Sequence, residues 1–236
     1  MTTPSHKDRI VLITGASRGI GRAAALSFAK AGAHVIALAR TVGALEELDD
    51  EIKALRGTAS LIPADLADRA ALAQLPAILN ERYGRLDALI ANAGILGDLS
   101  PVPDILPKVW DQAFAINVSA NQQLIAGLDP LLKASPAGRY VGLTTGRTHA
   151  FAPFWGTYAA SKSAFAALVH TYALEMEESA VRVNLLDPGR LRTGMRAKAM
   201  PGEDPMTLRT PEDLAPLILQ MAHPDETRHN KVVCFQ

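Results

Sequence analysis

Seven short apolar runs, separated by longer segments of helical period, constrain this chain more than any single motif. The runs cover residues 9–14, 34–39, 58–62, 86–91, 139–144, 181–186 and 231–235, and most are apolar at consecutive positions, as in IVLIT and HVIALA. A strand of that kind has no face suited to water. It belongs in a parallel sheet whose crossovers lay helices on both sides. Segments 20–31, 42–55, 68–83, 107–134, 157–179 and 211–223 read as those helices, with Gly32, Gly57 and Gly84 expected as left-handed C-terminal caps and Thr210 as an N-cap before Pro211. The expected class is doubly wound α/β. No linker or composition break divides the 236 residues, and at 48% hydrophobic they can bury one large core, so residues 1–236 are expected to form a single domain. Segments 99–107 and 190–205 read as excursions from it.

Lys plus Arg and Asp plus Glu are 24 each, leaving no broad field for nucleic acid or an anionic membrane. Neither is expected as a partner. The opening MTTPSHKDRIVLIT has too short an apolar run for a signal peptide, and nowhere do about 20 consecutive apolar residues suggest a spanning helix. A single cysteine, Cys234, suits a reducing compartment, so a cytoplasmic setting is expected. His6, His34, His149, His170, His223 and His229 are scattered without an H-E-x-x-H spacing, and no metal is expected.

TGASRGIG, residues 14–21, follows the first strand and opens the first helix. Gly15, Gly19 and Gly21 permit a tight turn and close backbone approach, so a pyrophosphate can sit on free amides at the helix mouth. The spacing is G-x-x-x-G-x-G, which leaves an ordinary strand-to-helix turn as an alternative. A hydrolase elbow also fits, because Gly15 to Gly19 reads G-x-S-x-G with Ser17 as nucleophile. Such an elbow draws an oxyanion amide from a loop after an earlier strand, and none precedes Arg9. A phosphate loop of the G-K-S/T kind fails for want of that lysine.

Tyr158 and Lys162, in YAASK, lie four apart at the start of a predicted helix. One face therefore presents both, and a nearby ammonium would be expected to lower the phenol pKa and ready it for proton transfer. Of the four tyrosines only Tyr158 has this partner. A solvated helix pair remains the plain alternative.

In this order and separation, TGASRGIG followed by YAASK resembles the classical short-chain dehydrogenases/reductases, over nearly the whole chain. The resemblance implies a Rossmann-type, doubly wound, mostly parallel seven-stranded sheet with helices on both faces. It also implies an NAD(P) site formed by Gly15, Ser17, Arg18, Gly19, Ile20, Gly21, Arg40, Asp65, Leu66, Asn92, Ala93, Gly94, Tyr158, Lys162, Pro188, Gly189 and Thr193. Asp65 matches the acid that contacts adenine, and Thr193 the residue that contacts the nicotinamide carboxamide. ANAG, residues 91–94, stands where the family has NNAG, with Ala91 replacing the first Asn. The matched catalytic set is Asn117, Thr145, Tyr158 and Lys162; Thr145, thirteen residues before Tyr158, replaces the usual Ser. Threonine keeps the hydroxyl while its methyl group narrows the pocket.

Carbonyl reduction by hydride develops negative charge on oxygen, which calls for a polarising donor and a nearby acid. Thr145 and Tyr158 would fill those roles, Lys162 would hold the ribose and depress the phenol pKa, and Asn117 would anchor a water leading to solvent. At the end of the second strand an NAD enzyme usually has Asp or Glu, whereas this chain has Ala39 and Arg40. Together with Arg18 in the glycine loop, Arg40 favours NADP(H) over NAD(H).

Segments 146–156 and 190–206 should border the substrate, a small carbonyl compound or alcohol. Phe151, Phe154 and Trp155 could form an apolar wall and Met195, Met200 and Met206 an adaptable lid, or they could pack against the protein or a second subunit. Arg190, Arg192, Arg196 and Lys198 hint weakly at an anionic ligand. The resemblance implies a homodimer, with a tetramer open because the chain finishes KVVCFQ where many relatives have a VDGG-like segment. Two rivals stand beside the reductase: a dinucleotide-binding regulatory protein without turnover, and a serine hydrolase using Ser17.

Overall fold

β1 (Ile10–Thr14) offers no face to water, and Val11, Leu12 and Ile13 are fully buried. In the computed structural model, which describes residues 5–235, both its edges and both its faces are covered. Residues 1–4, the start of the polar opening, and residue 236 lie outside the described residues. β2 (His34–Ala39) and β4 (Ala88–Ala91) flank β1, and β3 (Thr58–Pro63), β5 (Arg139–Leu143), β6 (Arg182–Asp187) and β7 (Val232–Cys234) complete a seven-stranded sheet in the order β3-β2-β1-β4-β5-β6-β7. Every pairing is parallel. The sheet is thus wholly rather than mostly parallel, because a helical crossover separates each strand from the next.

The strand pleat divides the core in two. Leu12 joins Leu72, Leu79, Leu124, Leu128 and Phe165 on one face, whereas Val11 and Ile13 join Phe28, Leu45, Leu48, Leu214 and Ile218 on the other. The first face is covered by α3 (Arg69–Tyr83), α5 (Ala120–Ala134) and α6 (Gly156–Glu175), the second by α1 (Gly19–Lys30), α2 (Val42–Ala54) and α8 (Pro211–Met221). α4 (Pro107–Phe114) leads into α5, and the short α7 (Gly194–Ala199) lies in the excursion after β6.

Most strand and helix ends shift by one or two residues from the sequence expectation, the helix expected over 157–179 ends four residues early at Glu175, and two differences have physical content. The helix expected over 107–134 is interrupted by a π-helical turn, Ala115–Ser119, which carries Asn117. At the end of α2 the left-handed residue is Arg56 (φ 59), not Gly57. Gly57 is instead needed for space, since a Cβ there would stand 2.9 Å from that of Ala29. Gly84 (φ 68) and Gly32 (φ 89) do adopt the left-handed form. Asp68, read as the first residue of α3, is its cap, accepting from Ala70 N and Ala71 N at 3.0 Å. Asp213 accepts from Thr210 N at 2.7 Å and closes the start of α8.

The end of the sheet away from the crevice is held by Asp87, which is 2% exposed. Its carboxylate accepts from Ile10 N at 2.8 Å, Ser135 Oγ at 2.6 Å and Arg85 Nε at 3.2 Å. Arg9 adds hydrogen bonds from Nη2 to the backbone oxygens of Asp87 and Ala137 at 2.7 and 3.0 Å. Replacing Asp87 by Ala leaves the Ile10 amide and the buried Ser135 hydroxyl without their acceptor and removes the ion-pair partner of the half-exposed Arg85. We expect urea unfolding of Asp87→Ala to show a loss of about 3 kcal/mol.

Candidate active site

Crossovers leave β1 and β4 in opposite directions along the sheet, which opens a crevice beyond their C-terminal ends. Thr14 closes its floor. The Thr14 hydroxyl accepts from Asn92 N at 3.1 Å and Ala93 N at 3.0 Å, while Asn92 Nδ2 donates to Thr14 O at 2.8 Å and Gly15 O at 3.3 Å. The floor is built to glycine dimensions. A Cβ on Gly21 would meet Gly15 O at 2.3 Å and Asn92 Nδ2 at 2.5 Å, and one on Gly15 (φ 67) would meet Ala93 Cα at 3.0 Å.

Above this floor, the N-terminus of α1 is uncapped. Arg18 is the extended N-cap residue and no side chain accepts from the first amides. Gly19 (φ 54) is open on its outer side, where a Cβ would meet only the Thr193 methyl, at 3.8 Å. Open amides, a positive helix end and absent side chains fit a dinucleotide pyrophosphate. Ser17 is half-buried at the same turn, and Ile20 packs against the core face that contains Phe28.

Arg18 is exposed at the mouth of the turn, and Arg40 follows β2. Arg40 and Asp65, which the resemblance treats as separate cofactor contacts, form an ion pair at 3.6 Å. Both are exposed, so the pairing is weak and readily exchanged. Leu66 is 8% exposed and belongs to the core.

On the other side of the crevice, α6 presents Tyr158, Ser161 and Lys162, all buried. Tyr158 packs edge-on against Trp155 at 5.9 Å between ring centres, and the nearby Thr145 hydroxyl favours ionisation of its phenol. Thr145 Oγ1 also accepts from Arg147 N at 3.3 Å. Asn117 is fully buried, and its Oδ1 accepts from Ile95 N at 2.8 Å while Nδ2 donates to Ile95 O at 2.9 Å and Ser161 Oγ at 3.0 Å. Ser161 in turn donates to Tyr158 O at 3.0 Å. Gly94 stands between Asn117 and Lys162: a Cβ there would lie 3.2 Å from Asn117 Oδ1 and 3.4 Å from Lys162 Nζ.

The charge balance differs from the sequence expectation. The Lys162 ammonium donates to Leu143 O at 2.7 Å and lies 4.9 Å from the centre of the Phe165 ring, and burial lowers its pKa to about 8. Tyr158 is not lowered. Burial, and then the charge of Asp187, push its phenol up to about 12 against a smaller opposing effect of the Thr145 hydroxyl. Lys162 is directed at the end of β5, so its charge does not dominate the phenol in this form.

Segment 188–209 closes the rim. Gly189 (φ 64) turns the chain after Pro188, and Thr193 caps α7 by accepting from Arg196 N at 3.2 Å. Glu203 receives both Arg196 Nε and Nη2, at 2.5 and 2.7 Å, and Lys198 Nζ reaches across to Gly97 O and Asp98 Oδ1 at 3.1 Å. Of the expected apolar wall, Trp155 packs beside Tyr158, whereas Phe151 and Phe154 are exposed, as are Met195, Met200 and Met206 of the expected lid. Sequence reasoning passed over Thr14, Ser161 and Asp187. Ser161, three residues beyond Tyr158 on the same helix, carried a spacing signal; Thr14 and Asp187 are strand-end residues whose partners are distant in sequence. Among the described residues no cluster of His, Cys, Asp and Glu could hold a metal, and no helix is long and apolar enough to cross a membrane.

A parallel sheet in this strand order, with a glycine-lined switch-point crevice facing a Tyr–Lys helix, is the arrangement of a dinucleotide-dependent oxidoreductase class. Residues 9–204 match the short chain dehydrogenase family, and the chain belongs to it. It is 39% identical over 227 residues to the uncharacterized oxidoreductase YciK of Escherichia coli K12, covering 94% of this chain and 88% of that one. A solved short chain dehydrogenase of Escherichia coli CFT073, complexed with NADPH, superposes with a TM-score of 0.93 at 36% identity, covering 99% of each chain. Another, from Shigella flexneri 2a and complexed with NADP, has a TM-score of 0.92 at 36% identity and the same coverage.

Lys162 has a folded pKa near 8 against an ordinary value of 10.5. A depressed lysine disfavours the folded state wherever the unfolded chain is charged, so the penalty is complete below about pH 8 and disappears as pH rises towards 10.5. Relative to wild type, Lys162→Met is therefore expected to be favoured most at neutral pH. Urea unfolding from pH 7 to 10 should show that advantage shrinking; a constant difference would contradict the buried charge.

Proposed function

We propose that this protein is an NADP(H)-dependent oxidoreductase that interconverts a carbonyl and a secondary alcohol on a small, largely apolar substrate. One observation carries the proposal: the buried Tyr158 phenol faces the Thr145 hydroxyl across the crevice from an uncapped, glycine-built helix mouth. The NADPH and NADP complexes of the two similar structures support the choice of cofactor. So do Arg18 and Arg40, since Arg40 can exchange an exposed partner for a 2'-phosphate.

When bound, the reduced nicotinamide supplies a hydride to the carbonyl carbon. Thr145 and Tyr158 donate hydrogen bonds to the carbonyl oxygen, where negative charge develops, and Tyr158 releases its proton to that oxygen. A phenol held in its acid form is suited to this direction. Lys162, with its pKa near 8, exchanges protons near neutral pH on the same helix, one turn beyond the phenol. Asn117 positions the group rather than reacting: it ties the Ile95 backbone to Ser161, which holds the first turn of α6. Gly15, Gly19, Ile20 and Gly21 line the pyrophosphate, Asn92, Ala93 and Gly94 the floor, and Pro188, Gly189 and Thr193 the nicotinamide end. Ser17 has no histidine or carboxylate hydrogen-bonded to it among the described residues, which leaves a hydrolase nucleophile unsupported.

The proposal includes a single domain, a cytoplasmic setting and a homodimer, for which exposed Val102, Leu106 and Leu174 provide apolar surface. Tyr158→Phe is expected to lower carbonyl-reducing kcat/KM by about a hundredfold or more while leaving the NADPH Kd within about threefold. Full activity in that variant would reject Tyr158 as the acid, and binding without turnover in wild type on a broad carbonyl panel would favour a regulatory protein. At equal concentration NADPH should raise Tm more than NADH, because a ligand of the folded state stabilises according to its affinity. Arg40→Ala should narrow that difference; equal shifts in wild type would overturn the cofactor choice.

A further inference from the structure

Asp187 ends β6 immediately before Pro188, and its two oxygens have separate surroundings. Oδ1 accepts from Gly189 N at 3.0 Å, a side-chain turn that sets the left-handed Gly189. Oδ2 faces the residue after Thr145: a Cβ on Gly146 would stand 3.3 Å from it, with the His149 ring 4.0 Å from the same point. The carboxylate thus lies beside the loop that carries Thr145, within electrostatic reach of the Tyr158 phenol. Its charge opposes ionisation of the Tyr158 phenol, second only to burial.

Among the described residues Asp187 takes part in no ion pair, and the cations of the rim have other partners. Arg190 and Arg196 pair with Glu203, Lys198 pairs with Asp98, and Arg192 donates to Pro205 O and Leu208 O. Arg147 donates to Ala150 O and stacks over Trp155. The arginines that suggested an anionic ligand from sequence are therefore engaged within the protein, while an unpaired carboxylate borders the reaction site.

We propose that Asp187 selects substrates by charge: carbonyl compounds neutral or cationic near the reacting carbon are accepted, and those with a carboxylate or phosphate there are disfavoured. The proposal rests on the oxidoreductase function above. In a cleft partly shielded from water, like charges a few ångströms apart cost far more than in bulk solvent, whereas an ammonium group gains a partner. The carboxylate also adds to burial in opposing ionisation of the Tyr158 phenol. The charged and titratable groups around that phenol are Asp187 from β6, Lys162 from α6, and Arg147 and His149 from the loop after β5.

Asp187→Asn retains an oxygen for Gly189 N and removes the charge; Asp187→Ser does the same with a hydroxyl if the amide does not fold. With NADPH, kcat/KM is compared for acetoacetate and its methyl ester, which differ chiefly in charge. The anionic-to-neutral ratio should rise about tenfold or more in the variant, equivalent to about 1.4 kcal/mol. An unchanged ratio in an active enzyme would overturn charge selection alone. A second readout needs no turnover: the Tyr158 phenol, isolated by ultraviolet difference against Tyr158→Phe, should titrate at lower pH in Asp187→Asn. An unmoved phenol would also overturn the proposal. Wild type inactive on every carbonyl, with the phenol shift present, would instead overturn the oxidoreductase function and the selection that depends on it.

Discussion

The contact between the ends of β1 and β4 governs everything built above it. Asn92 satisfies the carbonyls of Thr14 and Gly15, and the Thr14 hydroxyl satisfies the amides of Asn92 and Ala93, so four backbone groups at the switch point are paired by two side chains. Buried backbone groups left unpaired would open the crevice floor to water. With the floor closed, Gly21 can pass against Gly15 O and aim the mouth of α1 across the crevice. A methyl group at that point would force the two apart.

Opposite this floor, the protein maintains a costly arrangement of buried polar groups. Lys162 is 4% exposed and Tyr158 8% exposed, and neither is paired with an opposite charge. Lys162 relies on one carbonyl, Leu143 O, while the Thr145 hydroxyl near Tyr158 offsets only part of the effect of its burial. Both pKa values move towards the neutral form as a result, one down and one up. Such incompletely compensated groups are where function commonly displaces stability. The Asp87 network at the far end shows the contrasting case, a buried carboxylate with several donors.

The rim after β6 shows why charge content alone predicts ligands poorly. Four basic residues between 190 and 198 suggested an anion, yet Glu203, Asp98 and backbone oxygens engage them. Among the described residues Asp187 takes part in no ion pair, and it looks unremarkable in the string LLDPG. Its importance comes from standing at the end of a strand beside Thr145, a neighbour more than forty positions away in sequence.

Much was legible without coordinates because it depends on near neighbours in the chain. Strands apolar on both faces demand a parallel sheet, glycines at 15, 19 and 21 mark close backbone approach, and a Tyr–Lys spacing of four puts both on one helical face. The π turn around Asn117, the left-handed Arg56, the pairing of Arg40 with Asp65 and the direction of the Tyr158 shift were decided by folding. These depend on what lies across a gap: Ile95 and Ser161 for Asn117, Ala29 for Gly57, burial and then Asp187 for the phenol. Periodicity and backbone propensity are written locally, whereas burial and electrostatic environment are set by residues that only the packed sheet brings together.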